Sequence, residues 1–190
     1  DVVVFSRQEQ CVIRIRAESC YRDPVAHLTR KDYDIVLNGE QQAVVDAIDA
    51  DFQAGIFQTY LLQGVTGSGK TEVYMELIAR AARNGRTSIV LIPEIALTFQ
   101  TVMRFFSRFG ERVSILHSRL SPGERYDQFL RAKNGELDVM IGPRSALFTP
   151  FDRLGYIIID EEHEGSYKSE TVPRYHARET AMERGRMAGA

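Results

Sequence analysis

The sequence predicts an α/β fold of three layers, a mainly parallel central sheet covered by helices on both faces. Three observations predict it. The strand candidates Ser88–Ile92, Val113–Leu116, Leu137–Ile141 and Tyr156–Asp160 are continuous apolar runs, the mark of strands buried on both sides. Segments of helical periodicity separate them, which favours parallel crossovers over hairpins. Finally, the glycine-rich stretch Gly64–Thr71 lies between an apolar run and a helical pattern, where a strand would turn into a helix.

Taken in order, the chain opens with two β-like runs, Val2–Phe5 and Cys11–Arg16. Ile13 and Ile15 alternate with Arg14 and Arg16, and Ser6–Gln10 is the connecting turn. A hairpin alone is barely stable, so this piece is expected to belong to a preceding domain or to pack on the next one. Residues 18–37 read as a linker, with Asp23-Pro24, mixed charge and little periodicity. Asn38 then caps a helix whose Ala43, Val44, Ala47 and Ile48 face one way. Thr59–Leu62 reads as a buried strand, followed by the glycine-rich loop and a helix carrying Val73, Leu77, Ile78 and Ala81 up to a stop at Gly85. After Pro93 a helix carries Ile95, Phe99, Val102 and Phe106. Ser121-Pro122 opens another, running to about Lys133, by pairing a good N-cap with proline at the first helical position. Asn134-Gly135 turns the chain back into a strand, and a last helical pattern runs from beyond Pro173 to the Gly189 end.

Composition sets limits on partners. With 190 residues and 44% hydrophobic content the chain can bury a core, and its formal net charge of −2 confines any polyanion contact to a local patch. Cys11 and Cys20 are the only cysteines, too few for a zinc site, and a reduced, cytoplasmic setting is the simplest reading. No apolar run reaches membrane-spanning length. Asp1 in place of Met points to a piece of a longer chain.

Gly64-Val65-Thr66-Gly67-Ser68-Gly69-Lys70-Thr71 fits G-x-x-x-x-G-K-[ST]. A triphosphate needs backbone N–H groups turned inward around it, and glycines permit that turn. Gly64, Thr66, Gly67, Ser68 and Gly69 are therefore expected to cradle the phosphates. The helix starting near Lys70 presents its positive dipole end to them. Lys70 is expected to contact the β- and γ-phosphates and the Thr71 hydroxyl to ligate Mg²⁺. The run Tyr156–Asp160 ends in Asp160-Glu161-Glu162-His163. At the carboxyl end of such a strand Asp160 can hold Mg²⁺ through water, and Glu161 can orient or deprotonate an attacking water. A carboxylate placed to serve water favours a hydrolase over a kinase.

Asp160-Glu161-Glu162-His163 resembles motif II of superfamily 2 helicases. With Ser166-Tyr167-Lys168 and Pro173-Arg174-Tyr175-His176-Ala177-Arg178, it resembles the primosomal protein N′ family of replication-restart DNA helicases. Leu61 to Tyr74, Pro93-Glu94-Ile95-Ala96-Leu97-Thr98 and Arg144-Ser145-Ala146-Leu147-Phe148 match the same family, and the resemblance covers about residues 37–187. It implies a RecA-like P-loop NTPase lobe over residues 37–190, the first motor lobe of a 3′-to-5′ helicase that uses ATP and Mg²⁺. By position, residues 1–36 would be the end of a DNA-binding winged-helix region plus linker. Gln41 is implied to read the adenine edge, since its amide both donates and accepts. Thr98, Arg144 and Ser145 lie in segments resembling those that contact the backbone of single-stranded DNA, and their chemistry suits phosphate oxygens.

Residues His163 to Arg178 resemble an aromatic-rich loop that couples DNA binding to hydrolysis. There His163, Tyr167, Tyr175 and His176 would offer faces or hydrogen bonds and Lys168, Arg174 and Arg178 charge. Glu164, Glu170 and Glu179 dilute that charge. His117-Ser118-Arg119-Leu120 reads as structural. The implied partners are single-stranded or forked DNA, with primosome and single-strand-binding proteins reached through the full-length protein. The strand of Gly-Ser-Ala-Thr type that links two helicase lobes does not occur before Ala190. The second lobe with its arginine finger, and the cysteine-rich zinc module, are likewise expected outside these residues. The 190-residue chain is accordingly expected to bind nucleotide, hydrolyse it slowly and unwind nothing alone. Two other readings stay open: a nucleotide-dependent DNA- or protein-binding module, and the motor lobe of another superfamily 2 translocase.

Overall fold

A computed structural model describes residues 2–5, 12–15, 36–56, 58–65 and 67–190, the first two stretches by their backbone. There β1 (Val2–Phe5) and β2 (Val12–Ile15) pair antiparallel, with Val2 opposite Ile15 and Phe5 opposite Val12. The Ser6–Gln10 turn and nearly all of the 18–37 linker lie outside the described residues.

Helix α1 (Gly39–Gln53) starts at a reciprocal cap. The Asn38 side chain accepts from the Gln41 N–H and the Gln41 side chain accepts from the Asn38 N–H, each at 2.9 Å. Its buried face is Val45 and Ile48, flanked by Val44, and not the expected set, because Ala43 and Ala47 are exposed. The larger side chains of the same helix remove more apolar surface from water, and they decide which way it turns. Helix α2 (Lys70–Arg83) buries Val73, Leu77, Ile78 and Ala81 as its spacing predicts.

Strands β3 (Thr87–Leu91), β4 (Val113–Ile115), β5 (Val139–Gly142) and β6 (Leu154–Ile159) form one parallel sheet in the order β4-β5-β3-β6. Helices α3 (Phe99–Phe109), α4 (Pro122–Lys133) and α5 (Ala177–Ala188) complete the lobe. Successive strand residues point to opposite faces and both faces are apolar. Val90, Ile92, Val113, Ile115, Val139 and Ile141 meet Met75 and Ile78 of α2 and Phe105 and Phe106 of α3. Ile89, Leu91, Met140 and Ile157 meet Ala132 of α4 and Ala177 and Ala181 of α5 on the other side. This is a RecA-like arrangement of three layers with an all-parallel sheet.

Two elements differ from expectation. Residues 58–65 form no strand, and Leu61 is 84% exposed. A strand needs a neighbour to complete its ladder. β6 is the last strand in the order and pairs with β3 alone, and the apolar run does not add to its open edge. Only Leu62 is tucked in, against the α1–α2 cluster and Tyr156. The helix expected directly after Pro93 is also broken. Glu94–Ala96 forms one 3-10 turn, and the Thr98 hydroxyl then accepts from the Thr101 N–H to cap α3. A threonine cap starts a helix and cannot sit inside it without competing for the backbone. The apolar periodicity therefore spanned two elements, leaving Ile95 and Phe99 exposed.

Candidate nucleotide site and adjoining cleft

The glycine-rich loop turns between Leu62 and α2, with the Ser68 N–H donating to the Val65 carbonyl at 3.1 Å. Gly69, the N-cap of α2, has φ +82°, a backbone that favours glycine. A Cβ there would collide with Nε2 of Gln41. At Gly64 a Cβ would stand 2.5 Å from Oγ of Ser68. The loop is thus closely packed at Gly64 and Gly69. Lys70 folds back over it, its Nζ donating to the carbonyls of Gly64 at 2.6 Å and Val65 at 3.1 Å. Each end of the Gln41 amide makes one hydrogen bond: Nε2 donates to the Ser68 carbonyl at 2.9 Å while Oε1 serves the α1 cap. This links the start of α1 to the loop. Thr66 lies outside the described residues.

Asp160 follows β6 directly, its N–H donating to the Leu91 carbonyl at the end of β3. One carboxylate oxygen accepts from the Glu161 N–H at 3.1 Å and the other from the Tyr74 hydroxyl at 3.1 Å. Burial, followed by the negative charge of Asp160, pushes the Tyr74 phenol up, so it stays a protonated donor. Glu161 has φ +50°, the only non-glycine residue with positive φ among those described. Such a conformation is strained for a residue with a Cβ and turns the chain sharply at the strand end. The His163 Nε2 stands 3.5 Å from the Glu161 carboxylate. The oxygen chemistry of the Thr71 hydroxyl and the Asp160 carboxylate fits a hard divalent cation that keeps several waters. No group of three or more His, Cys, Asp or Glu side chains suited to a metal occurs among the described residues.

Beside this site the loops after β3, β4, β5 and β6 enclose a cleft of about 290 Å³. Arg144 and Ser145 line it, together with Glu94, His117, Ser118 and Arg125. The Ser118 N–H donates to Glu94 at 2.9 Å. Hydrogen bonds from Ser118, then the charges of His117 and Arg119, hold the Glu94 carboxyl below its usual range. The Nε of Arg125 is buried without a hydrogen-bond partner among the described residues. His117 and Ser118, expected to be merely structural, thus belong to the cleft wall. Sequence reasoning also missed Glu94 and Arg125 as lining residues. The legible signal was that every lining loop follows the carboxyl end of a parallel strand.

The loop after Asp160 corrects several expectations. Tyr167 is 1% exposed and offers no stacking face; its hydroxyl donates to the carbonyls of Asp160 at 2.6 Å and Leu91 at 3.0 Å. A phenol in a core keeps its body in apolar surroundings only when its tip finds an acceptor, and here two carbonyls supply it. Arg144 spends one nitrogen on the carbonyls of Ser166 at 2.8 Å and Lys168 at 2.7 Å, so it clamps the loop as well as facing the cleft. Arg178 is paired with Glu162 at 2.7 Å, and Tyr175 packs edge-on against Phe148 with ring centres 5.4 Å apart. The His176 ring accepts from the Arg178 N–H as the cap of α5. His163, Lys168 and Arg174 are exposed. Thr98 caps α3 and does not line the cleft.

A P-loop lobe with an acidic strand end and a cleft above a parallel sheet is the motor-lobe plan of helicases. The DEAD/DEAH box helicase family matches residues 38–186, and this chain belongs to it. It is similar to the replication restart protein PriA of Bacillus subtilis, 47% identical over 168 residues, which are 88% of this chain and 21% of that protein. It is also similar to the replication restart protein PriA of Chlamydia pneumoniae, 48% identical over 155 residues (81% and 21%), and to that of Haemophilus influenzae, 50% identical over 131 residues (69% and 18%). The chain therefore spans about a fifth of the length of these relatives. No helix among the described residues is long and apolar enough to cross a membrane.

Proposed function

We propose that residues 37–190 are the ATP-binding motor lobe of a 3′-to-5′ DNA helicase acting in replication restart and primosome assembly. The observation that carries this reading is the hydrogen bond joining the two halves of the site. Tyr74, one turn into the P-loop helix, donates to Asp160 at the end of β6 at 3.1 Å. A glycine-rich turn and an acidic strand end that matched by chance would have no reason to meet there.

Lys70 exchanges its two loop carbonyls for the β- and γ-phosphates, a charge-assisted contact stronger than the ones it leaves. The loop N–H groups of Gly64, Thr66, Gly67, Ser68 and Gly69 take the remaining phosphate oxygens, and Gln41 senses the adenine edge beside Ser68. Thr71 and Asp160 would hold Mg²⁺, which when bound neutralises charge on the phosphates. Glu161, held out by its strained backbone, accepts the proton of the attacking water. His163, near the Glu161 carboxylate, lies on the path between hydrolysis and DNA. Arg144 and Ser145 in the cleft, and Thr98 from the cap of α3, bind the backbone of single-stranded DNA without reading sequence, supported by Lys168, Arg174, His176 and Arg178. The names of the relatives support replication restart as the setting, with primosome and single-strand-binding proteins as partners of the full-length protein.

DNA-stimulated ATPase of the full-length protein tests the site. Lys70→Ala should abolish nucleotide binding. Glu161→Gln should keep binding and lower kcat by about 10²-fold or more, the usual contribution of a positioned acid–base group. Unchanged hydrolysis in both variants would overturn the assignment.

A further inference from the structure

Two tyrosines converge on Asp160 from opposite sides of the sheet end, and neither has an ordinary reason to be tyrosine rather than phenylalanine. Tyr74 is 5% exposed and Tyr167 is 1% exposed, in two different apolar clusters. A phenylalanine would fill either space equally well, so the hydroxyls are explained by what they touch. The Tyr74 hydroxyl meets the Asp160 carboxylate, whose other oxygen is already taken by the Glu161 N–H. Between them these two donors fix the rotation of the carboxylate about its own axis. The Tyr167 hydroxyl meets the main chain instead, touching the carbonyls of Asp160 and Leu91. Since the Asp160 N–H also donates to the Leu91 carbonyl, the phenol closes the last rung between β3 and β6 immediately before Glu161 takes up its positive φ. A strained residue persists only where its surroundings over-determine it.

We infer that Tyr74 and Tyr167 are positioning residues with separate tasks: Tyr74 orients the Asp160 carboxylate toward the cation, and Tyr167 holds the turn that presents Glu161 to water. This rests on the reading of Asp160 and Glu161 as the cation and water site. Removing the Tyr74 hydroxyl frees the carboxylate and weakens the cation, while the main chain stays in place. Removing the Tyr167 hydroxyl loosens the Asp160–Glu161 peptide, while the carboxylate keeps its donor from Tyr74. The two losses are therefore distinguishable by what they spare.

The test uses the full-length protein with Tyr74→Phe, Tyr167→Phe and, as a control, Glu161→Gln. Binding of a fluorescent ATP analogue is titrated with Mg²⁺ in the absence of turnover, and steady-state kcat and KM are measured alongside. Tyr74→Phe should raise the Mg²⁺ midpoint about three- to tenfold, the loss expected for one hydrogen bond, with nucleotide affinity restored at saturating Mg²⁺. Tyr167→Phe should lower kcat about three- to tenfold, with the Mg²⁺ midpoint and the KM for ATP unchanged. Identical profiles for the two variants, or a fall in Tm with neither kinetic effect, would overturn the inference. Failure of either phenylalanine variant to fold would assign that hydroxyl to stability and overturn its arm. Should Glu161→Gln itself leave hydrolysis intact, the site reading beneath the inference fails instead.

Discussion

At the scale of single residues, backbone conformation decides what the phosphate loop can tolerate. Gly67 and Gly69 both have positive φ, +80° and +82°, yet their surroundings differ. Nothing lies within 4 Å of a Cβ built at Gly67, whereas one at Gly69 would strike the Gln41 amide that ties α1 to the loop. Gly67→Ala should cost only the conformational strain, about 1 kcal/mol. Gly69→Ala carries the same strain and also displaces Gln41, so nucleotide binding should weaken at least about tenfold beyond Gly67→Ala, where one hydrogen bond and its geometry are lost. Fluorescent-nucleotide titration of the two variants checks the ordering. Both glycines were visible in the sequence as parts of a motif. That Gln41 is the neighbour enforcing one of them was not, because residues 28 apart in the chain meet only once α1 has packed on α2.

At the scale of elements, Glu76 joins two helices. It stands on α2 and accepts from Arg80 at 3.2 Å, from Arg83 at 3.0 Å, and from Arg108 across on α3. Partial burial pushes its carboxyl up, but the hydrogen bond and charge of Arg108, followed by those of Arg80 and Arg83, outweigh this and hold it below its ordinary 4.5. A carboxyl depressed in the folded state adds stability above its unfolded value, and that stability is lost as pH falls through the lowered folded value. Glu76→Gln should therefore destabilise by about 1–3 kcal/mol at neutral pH. The difference in Tm between the variant and the native protein should shrink as pH falls below about 4.5. Thermal melts at several pH values check it; a pH-independent difference would mean that shape, not charge, makes the contribution. Apolar spacing foretold α2, unbroken apolar runs the four sheet strands, and the Ser121-Pro122 cap α4. Apolar content misled for Thr59–Leu62 and for Ile95, because it records neither whether a ladder forms nor where a cap intervenes.

At the scale of the whole molecule, nucleotide binding should be read as stability. A ligand at one hundred times its Kd that binds only the folded state adds about 2.7 kcal/mol. In a lobe of this size that corresponds to a rise in Tm of roughly 5–10 °C. ATP with Mg²⁺ should produce such a rise in the 190-residue chain, Lys70→Ala should remove it, and the chain alone should unwind no DNA. A melt unaffected by nucleotide would count against the phosphate loop as a working site.

The sequence by itself determined the fold class, the phosphate loop and the acidic strand end, because each is written in local spacing: buried parallel strands in unbroken apolar runs, glycines where the backbone must turn. Tertiary structure decided what those parts touch. It buried Tyr167 against two carbonyls, turned Arg144 partly toward the chain's own loop, and brought His117, Ser118 and Arg125 into one cleft wall. It also placed Tyr74 on Asp160, 86 residues away in the chain. Contacts of that separation follow from strand order and helix packing, and no local pattern along the sequence encodes them.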